Sequence, residues 1–254
     1  MAASLFLESL PVHGDWNCFL SEKVTEELLA IEKQVVISGF TPDEDKVLRF
    51  LTFPLLSARI IILGQDPYPQ PGVATGRAFE VGNLVSWSQP FRNISLKNIL
   101  RALYKAYSGE VISYSRLKEK FYNEFPILPP GQLFGHWESQ GVLLLNTSFT
   151  CEPWKPGSHY KLWNSFTFKL LEFIAEQAPG ATWFLWGNHA LEATRQLNLR
   201  SKVETLHPMM CYSIPSRTND FLYGEINCFS PFADLIDWTG YPLKRDYKVT
   251  GRLF

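Results

Sequence analysis

The stretch Ile60-Ile61-Ile62-Leu63-Gly64-Gln65-Asp66-Pro67-Tyr68-Pro69 decides the fold. An unbroken apolar run of this length, rich in β-branched residues, reads as a strand buried on both faces, as in parallel sheets. It ends in Gly64 and then delivers a carboxamide, a carboxylate, a proline and a phenol. In open α/β sheets, ligands bind beyond the carboxyl ends of the strands, so this ending marks the edge of a candidate active site. The competing reading is a buried strand followed by an ordinary Asp-Pro turn. The rest of the chain decides between them.

Downstream, three more apolar runs repeat the pattern. Val142-Leu143-Leu144-Leu145 ends at Asn146, the run 181–186 ends at Gly187-Asn188, and a weaker run, 203–206, ends at His207-Pro208. Helical patterns separate them: Ile99, Leu100, Leu103 and Tyr107 with Ser95 as cap, then Trp163, Phe166, Leu170, Leu171 and Ile174, then a short helix over 190–197. Short apolar strands alternating with helices imply βαβ units. The expected fold is a single-domain, three-layer α/β/α structure around a central four-stranded, mostly parallel, twisted sheet.

Upstream, Ser21 is placed to cap a helix with the apolar face Val24, Leu28, Ile31 and Val35. Thr41-Pro42-Asp43-Glu44 reads as a capping box with proline at the first helical position. Residues 1–57 thus form an N-terminal helical part, 58–238 the catalytic core and 239–254 a polar tail with Lys244, Arg245, Lys248 and Arg252. Residues 1–20 read as an irregular lead-in, 108–135 as an extended surface excursion, and Phe232–Trp238 as a last helix. The breaker-rich segment 69–95 has the length of a functional loop.

Composition narrows the function classes. The chain has 254 residues, 46% hydrophobic and 15% aromatic, enough for one large α/β domain. It shows no signal-peptide pattern and no apolar run of membrane-spanning length, so it is expected to be soluble and cytosolic or nuclear. Four well-separated cysteines form no C-x-x-C pair and the histidines show no zinc spacing, so reduced thiols and no metal are expected. A formal charge of −1 gives no support for binding nucleic acid through many phosphate contacts and does not exclude it, since a local patch with backbone N–H groups can serve instead.

The four strand ends therefore carry Gln65-Asp66, Asn146, Gly187-Asn188 and His207. Asp66 suits a general base, a water-positioning carboxylate or an electrostatic stabiliser. Asn146 offers a donor and an acceptor to the amide edge of a planar ring. His207 can donate to a developing oxyanion or act as acid or base. Tyr68 supplies a flat wall and Phe79 a stacking surface. No serine elbow, cysteine dyad or metal triad accompanies them.

These residues resemble family 1 uracil-DNA glycosylases. The resemblance runs in order through Gly64-Gln65-Asp66-Pro67-Tyr68, Gly76-Arg77-Ala78-Phe79, the block 140–147, Ser158-His159, Leu185-Trp186-Gly187-Asn188 and His207-Pro208. It implies hydrolysis of the bond between uracil and the DNA sugar, after the base has been taken out of the stack. By position, Asp66 would activate water and stabilise a cationic sugar, and His207 would bond to uracil O2. Asn146 would read the O4/N3 edge, Tyr68 would exclude the thymine methyl, Phe79 would stack on the ring and Gln65 would give backbone contacts. DNA contacts would come from Pro67, Ser95, Gly187, Asn188 and the run Pro208-Met209-Met210-Cys211-Tyr212. The resemblance further implies no cofactor, a monomer, uracil-containing DNA as partner, and room for a protein inhibitor or replication partner.

The departures fall on the DNA side. Met209 stands where the family places a phosphate-contacting serine, and ungapped alignment puts Cys211 at the apolar wedge. Pro69 replaces a histidine, Asn188 replaces a serine, and the proline-rich loop before Ser95 reads Ser86-Trp87-Ser88-Gln89-Pro90. Two alternatives follow: a DNA-binding or partner-recruiting module with reduced activity on a glycosylase fold, and a glycosylase for a different base.

Overall fold

The computed structural model describes residues 4–8 and 10–241, so the expected tail with Lys244, Arg245, Lys248 and Arg252 lies outside the described residues. The strands are β1 (Ile60–Gly64), β2 (Val142–Asn146), β3 (Thr182–Trp186) and β4 (Ser201–Thr205), in the sheet order β2-β1-β3-β4. β1 runs parallel to both its neighbours. Its register with β2 goes from Ile60↔Val142 to Gly64↔Asn146, and with β3 from Ile60↔Thr182 to Ile62↔Phe184. Parallel neighbours need crossover connections, and the helices between the strands supply them. β1, β2 and β3 are buried at every position, whereas β4 buries only Val203 and Thr205. A strand at the sheet edge carries alternating polar residues, which is why this one reads weakly in the sequence. The fold is α/β.

The strand order also explains where the motif sits. From β1 the chain passes to β2 on one side and then returns to β3 on the other. Such a reversal opens a crevice at the carboxyl end of the strand it straddles. That strand is β1.

The chain forms two compact units. The first contains described residues up to 83, with 141–184 and 189–202. Its helices are α1 (Leu5–Glu8), α2 (Glu22–Ser38), α3 (Glu44–Val47) and α7 (Tyr160–Gln177). Val24, Leu28, Ile31 and Val35 form the buried stripe of α2, as their spacing requires. Trp16, Phe19, Phe149, Trp163 and Phe166 pack edge to face, with ring centroids 5.0–6.3 Å apart. The second unit contains 84–140, 185–188 and described residues from 203 onward. It holds α4 (Ile94–Ser108), α5 (Tyr114–Lys120) and α6 (Pro130–Ser139). Trp137 Nε1 donates to the Trp238 carbonyl at 2.9 Å, tying α6 to the end of the described chain. The helix α8 (Asn188–Thr194) begins directly after β3.

Several sequence expectations need correction. The helix after Thr41 starts at Glu44 with Asp43 as N-cap; Pro42 precedes it through a cis bond, and Thr41 instead bridges to Cys151. Local capping lost to that backbone pairing. Ser95 lies inside α4, whose N-cap is Asn93. The segment 108–135 is no extended excursion: it contains α5 and the start of α6, with Leu117, Phe121 and Phe125 buried. Its apolar residues are anchors spaced among charges, so the pattern is diluted. Near 232–238 there is one 3-10 turn, Ser230–Phe232, followed by turns; Ile236 and Trp238 are buried without a helix to carry them. The lead-in 1–20 contains α1 and a 3-10 turn at Gly14–Trp16.

Candidate active site

Beyond β1 the ladder continues. Thr147 N–H donates to the Gly64 carbonyl at 3.1 Å and Ser148 N–H to the Gln65 carbonyl at 2.9 Å. These bonds hold the Gln65-Asp66 turn against the residues that follow Asn146. Asn146 is 6% exposed, and its Oδ1 occupies the space beside Gly64 that a Cβ there would fill. Ala78 Cβ lies 2.9 Å from the same point. Gly64 is therefore required by its neighbours, Asn146 on one side and Ala78 on the other. Gly64→Ala is expected to displace the Asn146 carboxamide and to cost about 1–3 kcal/mol through overpacking. Thermal melting checks this; an unchanged melting temperature would refute it.

Asp66 is partly buried, and burial is the main reason its carboxyl rises from 3.8 to about 6. The Ser148 side chain and the Gly157 backbone pull it back by hydrogen bonding. Its Oδ1 is buried and takes no hydrogen bond from the described residues. A buried acceptor without a donor is costly, so a donor supplied to it by a ligand would be stabilising.

Two aromatic residues complete this side. Tyr68 Oη donates to the Phe79 carbonyl at 3.4 Å, and Ala78 N–H donates to the Leu144 carbonyl at 3.3 Å. Phe79 has φ 66°, a left-handed conformation that costs a non-glycine residue energy and persists where its surroundings impose it. The imposing groups are close in sequence. Arg77 Nη1 pairs with Glu80 Oε2 at 3.0 Å, Thr75 Oγ1 donates to the same oxygen at 2.6 Å, and Glu80 is 6% exposed.

The second unit carries the remaining predicted residues. His207 leads into a 3-10 turn, Pro208–Met210, and its Nδ1 accepts the Met209 N–H at 3.1 Å. An accepting Nδ1 assigns the ring hydrogen to Nε2, so the neutral ring presents a donor on its far side. Gly187, at φ 89°, lets the backbone pass His207: a Cβ there would fall 2.7 Å from the His207 Cβ. Asn98 Nδ2, on the helix that holds Ser95, donates to the Pro208 carbonyl at 2.7 Å. Asn188 is exposed at the start of α8.

In the run after His207, Met209, Met210 and Tyr212 are exposed, while the Cys211 thiol turns back to the Pro208 carbonyl at 3.1 Å. Arg217 Nη2 donates to the Met210 carbonyl at 2.6 Å and its guanidinium lies 5.1 Å over the Tyr212 ring. Asp220, fully buried, accepts the N–H groups of Tyr212, Leu222 and Tyr223.

The first unit thus brings together Gln65, Asp66, Pro67, Tyr68, Phe79 and Asn146. Within the second, Gly187 and the run from His207 to Tyr212 share one region. Sequence reasoning missed Ser148, Gly157, the Thr75–Arg77–Glu80 clamp and the Arg217–Asp220 support. Ser148 follows Asn146 by two residues and was within reach of the strand argument. The clamp residues look like ordinary surface polar positions until the fold buries them. All four cysteines are free, and no three His, Cys, Asp or Glu side chains among the described residues group around a metal position.

The fold and the strand-end carboxylate define a parallel α/β protein with polar side chains gathered after β1. Comparison with known proteins specifies the class. The profile of the Uracil DNA glycosylase superfamily matches residues 50–228. Uracil-DNA glycosylase 1 of Listeria monocytogenes is 33% identical over 186 residues, covering 70% of this chain and 74% of that protein. The uracil-DNA glycosylase of Exiguobacterium sibiricum is 32% identical over 236 residues, covering 89% of this chain and 94% of its own. The crystal structure of the wild-type UNG from Nitratifractor salsuginis superposes with a TM-score of 0.70 at 26% identity, covering 94% and 96% of the two chains. The chain belongs to the uracil-DNA glycosylase superfamily.

Proposed function

We propose that this chain hydrolyses the N-glycosidic bond of uracil in DNA, releasing free uracil and leaving an abasic site, with Asp66 and His207 as the catalytic pair. The observation that carries the assignment is the Asp66 carboxylate at the end of β1, hydrogen-bonded by the Ser148 side chain and the Gly157 backbone, with Oδ1 buried and without a donor among the described residues. In this reading Asp66 holds the attacking water and faces the positive charge that grows on the sugar. The water oxygen bonds to C1′ as the C1′–N1 bond breaks, the bonding pair of C1′–N1 passes into the uracil ring, and the water gives up its proton to the Asp66 carboxylate. His207 Nε2–H donates to O2 of that ring as it becomes anionic.

Specificity falls to the buried groups. The Asn146 carboxamide pairs with O4 and N3–H, an arrangement that cytosine, with an amino group at position 4, cannot match. Tyr68 fills the space a thymine methyl would need, and Phe79 covers the ring. Gln65 contributes its backbone. Pro67, Ser95, Gly187, Asn188, Pro208, Met209, Met210, Cys211 and Tyr212 are assigned to the DNA strand. The altered loop after His207 makes single-stranded DNA the favoured substrate, since no duplex then has to be opened.

The test is direct. Single-stranded oligonucleotides carrying one uracil, thymine or hypoxanthine are incubated with the protein, and abasic sites are revealed by alkaline cleavage. Cleavage at uracil alone is expected. Absence of product on the uracil strand, from folded protein, refutes the enzyme reading; cleavage at thymine or hypoxanthine refutes the specificity assignment.

A further inference from the structure

The chain has eight tryptophans, and seven of them are at most 4% exposed. Trp154 is 68% exposed. Among the described residues its indole makes no ring contact or hydrogen bond, yet its backbone is held firmly. Trp154 has φ 68°, and its N–H donates to the Pro69 carbonyl at 2.8 Å. The short turn it occupies is closed by a backbone bridge between Glu152 and Lys155. On either side, the same loop is fastened to the strand-end motif again: Cys151 Sγ reaches the Pro67 carbonyl at 3.7 Å, and the Gly157 backbone bonds to Asp66. A large aromatic ring is therefore presented to solvent on a loop fastened at three points to residues 66–69. Left-handed conformations at bulky residues are costly and collect at ligand clamps.

The size of the feature selects its occupant. The ring is flanked by Pro153, Lys155 and Pro156 and by no other exposed large apolar side chain in the loop 151–159. A stable protein interface needs roughly 800 Å² on each partner, far more than one indole offers. One indole face matches one nucleobase, and base–aromatic stacking is tolerant of sequence because every base has a π-face.

We propose that Trp154 is a stacking platform for a nucleobase that flanks the target uracil on the same strand. The proposal rests on the uracil-excision reading and adds a strand contact to it. A platform fixed to the motif that carries Asp66 holds the strand next to the scissile sugar without requiring a duplex.

The test uses the full chain and single-stranded oligonucleotides with one uracil. In a parallel series, the base at each of the two positions on either side of the uracil is removed in turn by an abasic analogue. Trp154→Ala is expected to raise KM, and the anisotropy Kd of the same strands, by about 5- to 100-fold, with kcat within about twofold. Trp154→Phe should recover most of the loss. For one flanking position, removing the base should weaken wild-type binding equally and leave Trp154→Ala no weaker than before. A Trp154→Ala loss that is the same whichever base is missing, or no loss at all, overturns the proposal. If the wild type releases no uracil, the excision reading fails, while the anisotropy series still decides whether Trp154 meets a base.

Discussion

Asp66→Asn is expected to lower kcat for uracil release by about 10²–10⁴-fold, the usual worth of a positioned carboxylate. The substitution keeps the shape of the side chain and removes its charge, so KM for the strand should move little. In the wild type the reaction needs the ionised form. With the carboxyl of the free protein at about 6, kcat/KM should fall tenfold per pH unit below that value and level off above it. The variant should lack this limb. A rate within threefold of the wild type, or an acid limb that persists in Asp66→Asn, would remove Asp66 from the chemistry.

The same substitution should stabilise the fold. A carboxyl raised to about 6 holds its proton in the folded state over a range where the unfolded chain, near 4, has already lost it. Stability contributed by the protonated form is complete below pH 4 and is lost as pH rises through 6. At pH 8 the folded protein therefore carries an unfavourable partly buried charge, worth ~2 kcal/mol after allowance for its contact with solvent. Asp66→Asn relieves it, so its melting temperature should exceed that of the wild type at pH 8 and match it near pH 4. An inactive but more stable variant is the signature of a residue kept for chemistry at a cost in stability.

His207→Ala is expected to lower kcat by about 10²–10³-fold, the effect of removing one donor from a developing oxyanion. The turn itself should survive. Asn98 still holds the Pro208 carbonyl, and Met210 N–H still donates to the backbone carbonyl of residue 207 at 2.8 Å. Circular dichroism and melting should therefore change little while single-turnover rates collapse. A loss confined to KM would assign His207 to binding alone.

The α/β class was legible because β1, β2 and β3 are buried throughout and largely apolar, and each is followed by or ends in polar or glycine residues. The same pattern marked Asp66 and Asn146, since a strand buried on both faces leaves its polar residues at its carboxyl end; His207 follows the half-exposed edge strand β4. Elements whose apolar residues are sparse were harder to read. In α5, Leu117 alone is buried, and near 232–238 isolated buried residues sit in turns. A local pattern carries no signal where burial comes from distant partners.

By itself, the sequence determined the buried strands and the polar residues at their ends, because strand burial and side-chain chemistry are local properties. Only the tertiary structure decided how those residues are held. The Gly64–Asn146 register, the buried oxygen of Asp66 and the presented ring of Trp154 all depend on groups brought together from far apart in the chain. Hydrogen bonds between distant backbone groups are set by packing, and packing leaves no period in a sequence to read.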